Sequence, residues 1–83
     1  MKLIYFAWLR ERIGVPEEEV DLPAEVKTVE DLMQFLSERS EAHAHAFENR
    51  KIVRAAIDRR HVKPAAPLAG AGEVAFFPPM TGG

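Results

Sequence analysis

Apolar residues recur along this chain in short runs broken by charge, proline and glycine, and their period changes from run to run. Lys2 to Leu9 is almost continuously apolar and aromatic and is bounded by Arg10 and Glu11, which predicts a first strand. Gly14 and Pro16 mark a turn. Glu19 to Leu22 predicts a short second strand that completes a hairpin and stops at Pro23. A helix follows: Thr28 suits the N-cap, and Glu30 and Asp31 fall in the first turn, where the helix dipole favours negative charge. Val29, Leu32, Met33 and Leu36 lie at i, i+3, i+4 and i+7, with Phe35 beside them, so one apolar stripe faces a sheet.

The second half is more broken. Ser40 to Asn49 reads as a helical extension or turn that buries Phe47. Lys51 to Asp58 predicts a third strand, Arg60 to Lys63 a short fourth, and Glu73 to Phe77 the last, with Pro64 to Gly72 as a loop. The order ββαββ plus a terminal strand is an α+β pattern, in which one main helix covers one face of a mixed sheet. Residues 1–78 then form the folded domain and residues 79–83 an extended tail.

Parity along the outer runs sharpens this picture. Side chains alternate between faces of a strand, so Lys2, Ile4, Phe6 and Trp8 share one side and Leu3, Tyr5 and Ala7 the other. On the last strand Glu73, Ala75 and Phe77 oppose Val74 and Phe76. With Lys2 and Glu73 on the solvent side, Ile4, Phe6 and Phe77 form an apolar patch away from the helix, which predicts a partner there. The alternatives are a shifted register, or cover supplied within the monomer.

Composition narrows the functional classes. Eighty-three residues make one small domain, and 47% apolar with 29% charged residues argues against disorder. A net charge of -2 and a pI near 5.9 give no reason to expect nucleic acid as a partner. Arg50, Lys51, Arg54, Arg59, Arg60 and Lys63 do cluster, and read as a solvated surface or a protein-docking edge. The absence of cysteine excludes disulfides, thiol catalysis and cysteine zinc sites. His43 and His45 stand two apart and cannot share a helix face, and His61 is remote, so all three read as solvent-exposed imidazoles and not as metal ligands. Glu17, Glu18 and Glu19 surround a hairpin and read as solvated. The opening apolar stretch is too short to span a membrane and no cleavage pattern follows it, so the cytoplasm is the expected compartment.

The last residues hold the candidate chemistry. Phe76-Phe77-Pro78-Pro79-Met80-Thr81-Gly82-Gly83 runs from a strand into two prolines, which lack the N–H that a sheet ladder needs. Five extended residues reach roughly 17 Å, enough to enter a neighbouring protein's pocket. Gly82 and Gly83 carry no Cβ, so they can thread a narrow channel and leave the terminal carbonyl open to attack. An ionised α-carboxylate is a poor electrophile, and this chain has no phosphate loop, so an external ATP-using enzyme would have to activate it. The competing reading is a frayed end or a cloning remnant.

Tyr5-Phe6-Ala7-Trp8-Leu9-Arg10-Glu11 and, more specifically, Gly72 to Gly83 resemble the small subunit of molybdopterin synthase. The resemblance implies a ubiquitin-like β-grasp fold and a terminal glycine, here Gly83, that a ubiquitin-activating-type enzyme adenylates with ATP and that then becomes a thiocarboxylate. It implies that Gly82, Thr81 and Met80 enter a large subunit and that sulfur passes to cyclic pyranopterin monophosphate, with a cysteine desulfurase or rhodanese-like protein as the sulfur donor. Two small and two large subunits form the implied assembly, and the catalytic surroundings come from the large one. Phe6, Phe77, Pro78 and Pro79 are the implied partner contacts. Where the family tends to place a further apolar contact, this chain has His61. No cofactor is implied for the chain itself. Alternatives are a sulfur carrier for thiamine synthesis or tRNA thiolation, a ubiquitin-like protein modifier, and a β-grasp interaction module with an inert tail.

Overall fold

The first strand, β1, takes up only Lys2–Tyr5, and the rest of the opening apolar run turns into a helix, α1, over Ala7–Ile13. The computed structural model describes residues 1–79. A continuous apolar run has no period to tell strand from helix, and tertiary contact decides between them. Here Phe6 stays extended as the N-cap, and Ala7 takes a left-handed φ of 54° that reverses the chain. Leu9 is then buried, with Trp8 and Ile13 packed against the same core. Gly14 ends α1 at φ 99°, its N–H donating to the Arg10 carbonyl, so the glycine expected in a turn is a helix C-cap.

The inserted helix also moves the second strand. β2 spans Glu17–Glu19, earlier than the predicted Glu19 to Leu22, because the Tyr5 N–H donates to Pro16 O and sets Leu3 opposite Glu18. α2, Val29–Ser37, forms where its stripe predicts, with Val29, Leu32, Met33 and Leu36 all buried. Its cap is a reciprocal box: Thr28 Oγ1 accepts from the Asp31 N–H at 3.1 Å, and Asp31 Oδ2 accepts from the Thr28 N–H at 3.2 Å. Ser40 caps a third helix, α3, over Glu41–Ala46, which leads into buried Phe47. Among the described residues the expected main helix, α2, is accompanied by two further helices, α1 and α3.

A 3-10 turn, Arg50–Ile52, takes the start of the predicted third strand, leaving β3 as Arg54–Ile57. β3 reaches β4, Arg60–Val62, through Asp58 and Arg59, both at positive φ, the geometry that suits the twist of a tight hairpin. β5, Glu73–Phe77, inserts between β1 and β3, giving one five-stranded sheet in the order β2-β1-β5-β3-β4. β5 runs parallel to β1 and antiparallel to β3. Leu3, Tyr5, Val74 and Phe76 point at the helices and are at most 1% exposed, as parity requires. Phe76 stacks on Tyr5 and meets the Phe47 ring edge-on at 5.1 Å, tying the two central strands to α3. No helix among the described residues is long and apolar enough to cross a membrane.

Candidate functional site

The face of the sheet away from the helices carries the predicted apolar patch. Register aligns Ile4, Ala75, Ala56 and His61 across β1, β5, β3 and β4, and sets Phe77 opposite Arg54. Phe6, at the end of β1, donates its N–H to Phe76 O at 3.0 Å, which holds it beside the last strand, and its ring is 48% exposed. Ile4 and Phe77 are half-buried. The His61 ring is exposed and sits 5.1 Å from that of Phe77, tilted by 50°, so it extends the patch with a polar tip. Lys2, Glu73 and Arg54 form its charged rim.

Trp8 does not join this patch. It lies on α1, half-buried, with the Arg12 guanidinium 4.5 Å from its ring centroid, because the strand ended before it and alternation no longer applied. Pro78 and Pro79 follow β5 and are half-buried. β5 lies between two neighbours, so the chain leaves the sheet from its middle, beside Phe6 and Phe77. Met80, Thr81, Gly82 and Gly83 lie outside the described residues.

Two sequence expectations about polar groups are corrected. His43 is buried, not an exposed imidazole, and Glu18 is not simply solvated. Glu18 opposes Leu3 and so points toward the helices, where its Oε2 accepts from the Tyr5 hydroxyl at 2.6 Å and lies 2.7 Å from His43 Nε2. Ser40 Oγ, the α3 cap, lies 2.7 Å from His43 Nδ1. Arg39 adds a charge 3.8 Å from Glu18 Oε1. The network ties β1, β2 and α3 together at the edge of the core, and every buried side-chain polar atom among the described residues has a partner. His45 and His61 are exposed, as expected. Parity on β2 and the Ser40-x-x-His43 spacing were the available signals, but the first needed the correct strand boundary and the second the start of α3.

Burial by itself would raise the Glu18 pKa, yet the hydrogen bonds from Tyr5 and His43, with the charges of His43 and Arg39, outweigh it and hold the carboxyl below its usual range. Burial, then the hydrogen bond and charge of Glu18, raises the Tyr5 phenol well above its own range. Because the folded carboxyl is the stronger acid, its stabilisation is present above the unfolded glutamate pKa of about 4.3 and is lost as pH falls through the lower folded value. Glu18→Gln is therefore expected to lower the melting temperature at neutral pH, with the gap to the parent narrowing as pH drops below about 4. A gap constant across that window, measured by thermal melts, would remove the Glu18 charge from the account.

A mixed sheet packed on helices, with its last strand central and running out through Pro78 and Pro79, defines a protein of the ubiquitin-like β-grasp class. Within that class, the chain belongs to the ThiS family, which it matches over residues 3–83. The molybdopterin synthase sulfur carrier subunit of Escherichia coli (strain K12) is 41% identical over 83 residues, covering 100% of this chain and 99% of that protein. The Haemophilus influenzae protein of the same name is 31% identical over the same span. A putative molybdopterin converting factor, subunit 1, from Pyrococcus furiosus superposes with a TM-score of 0.74 at 31% identity, covering 95% of each chain. The small archaeal modifier protein 1 of Haloferax volcanii gives 0.73 at 26% identity, covering 96% of this chain and 97% of that one.

Proposed function

We propose that this chain is the sulfur carrier subunit of a molybdopterin synthase. The observation that carries this reading is the end-to-end match, at 41% identity, with the Escherichia coli protein of that name. In this reading a ubiquitin-activating-type enzyme uses ATP to convert the Gly83 carboxylate into an acyl adenylate with loss of pyrophosphate. Sulfur originating from a cysteine desulfurase or rhodanese-like protein then displaces AMP and leaves a thiocarboxylate. The tail, residues 79–83, enters the large subunit, whose active site passes the sulfur to cyclic pyranopterin monophosphate. The chain is not an enzyme alone, holds no cofactor of its own, and works in the cytoplasm in an assembly of two small and two large subunits.

The geometry supports this division of labour. A docking face made by Phe6, Phe77 and His61 lies where β5 leaves the sheet, so binding there would bring Pro78, Pro79 and the residues beyond them to the partner. Phe77→Ala is expected to weaken association with the large subunit by about 2 kcal/mol, as for a central aromatic anchor. Titration calorimetry that finds the same affinity for both proteins would take Phe77 out of the interface.

Intact-mass spectrometry of the protein isolated from its own cells tests the carrier role. A population heavier by the difference between one sulfur and one oxygen, mapped to Gly83, is the expected result. The likeness to the small archaeal modifier protein favours a second reading, in which Gly83 is joined to lysines of other proteins. Isopeptide-linked conjugates without the sulfur-bearing form would decide for it.

A further inference from the structure

Of the cationic run between Arg50 and Lys63, only Arg54 borders the open face described above, and the fold gathers much of the run around one groove. This groove, about 660 Å³, lies between the start of α2, the 3-10 turn, β3 and the end of β4. Its floor is apolar, with Met33, Val53, Ala55 and Val62, and its rim carries Arg50, Lys51, Arg54 and Lys63 together with Glu30 and Glu48. The rim acids are already engaged: Glu30 lies 3.9 Å from Arg50, and Glu48 lies 3.5 Å from Arg12 and 3.7 Å from His45. Lys51, Arg54 and Lys63 are exposed and have no carboxylate within ion-pair distance among the described residues. A protein of net charge -2 thus presents uncompensated positive charge at one place, over an apolar floor.

We propose that this groove is a second docking site, whose occupant is an acidic extended segment of a partner protein. Its carboxylates would meet Lys51, Arg54 and Lys63, and an apolar side chain between them would rest on Val53, Ala55 and Val62. β4 is an edge strand with no neighbour on its outer side among the described residues, which leaves room for an extended chain alongside it. Nucleic acid fits less well, since no aromatic ring lines the groove for bases to stack on. The site is independent of the chemistry assigned to Gly83.

Binding of a fluorescein-labelled peptide of alternating glutamate and leucine to the full chain, followed by anisotropy, tests the proposal. Saturable binding that weakens as salt is raised is expected, since the rim is solvent-exposed. Lys51→Glu with Lys63→Glu should reduce affinity by about tenfold or more, and Lys51→Gln with Lys63→Gln by less. Circular dichroism and thermal melts check that both variants fold. Reversal of the exposed Arg10 on α1 by Arg10→Glu should leave affinity unchanged. The proposal is overturned if the peptide does not bind saturably, if the lysine variants keep full affinity, if Arg10→Glu costs as much as Lys51→Glu with Lys63→Glu, or if an oligouridylate binds more tightly than the peptide.

Discussion

A chain lacking Gly83 is expected to lose sulfur transfer altogether while melting at the same temperature as the full-length protein. The truncated chain still ends in a carboxylate, on Gly82, so the functional group itself survives. What changes is its position, set back by about 3.4 Å, the rise of one extended residue. A displacement of only about 1 Å can cost roughly a hundredfold when two reacting groups must meet in a shaped site, so a full residue should leave the terminus beyond productive reach. In the proposed function both steps would be affected, adenylation in the activating enzyme and delivery in the large subunit. Stability should not follow, because the buried residues of the described body run from Leu3 to Phe76. The measurement is product formation by purified large subunit supplied with either chain and the activating system. Normal turnover by the truncated chain would refute the carrier role.

Phe76→Ala is expected to have the largest effect on folding, a loss of about 3–5 kcal/mol. The Phe76 ring is fully buried, stacked on Tyr5 and edge-on to Phe47, so truncation empties the point where the two central strands meet α3. A domain of this size has only about 0.05–0.15 kcal/mol of stability per residue, roughly 4–12 kcal/mol in all, so the variant should lose a large share of it. Urea titration measures the loss, and a change under about 1 kcal/mol would contradict the core assignment, since only a surface position behaves so. The neighbouring residue gives the contrast. Phe77 differs from Phe76 in chemistry not at all, and only strand alternation sends one ring into the core and the other to the open face, so Phe77→Ala should spare the fold and weaken the partner.

Much of the fold was legible because the signals that specify it are local. The stripe of α2 and its Thr28 cap lie within one helix, and the alternation of Leu3 with Tyr5 and of Val74 with Phe76 lies within single strands. The open-face set of Ile4, Phe6 and Phe77 followed from the same parity. The helix at Ala7–Ile13 did not, because residues 3–9 are apolar on every side and a continuous run satisfies either geometry. That missed boundary carried others with it. Trp8 was assigned to the wrong surface, β2 was placed too late, and Glu18 was read as solvated when it faces Tyr5 and His43.

Sequence by itself determined the α+β class, the covered and open faces of the central strands, and the place where sheet pairing must stop at Pro78. Each of these depends on the period or covalent nature of adjacent residues. Only the tertiary structure decided that Glu18 meets His43 across 25 positions, that β5 threads between β1 and β3, and that Lys51, Arg54 and Lys63 gather on the rim of one groove whose acids pair with Arg50, Arg12 and His45. Those arrangements rest on burial and charge pairing between distant segments, which exist only once the hydrophobic core has brought the segments together.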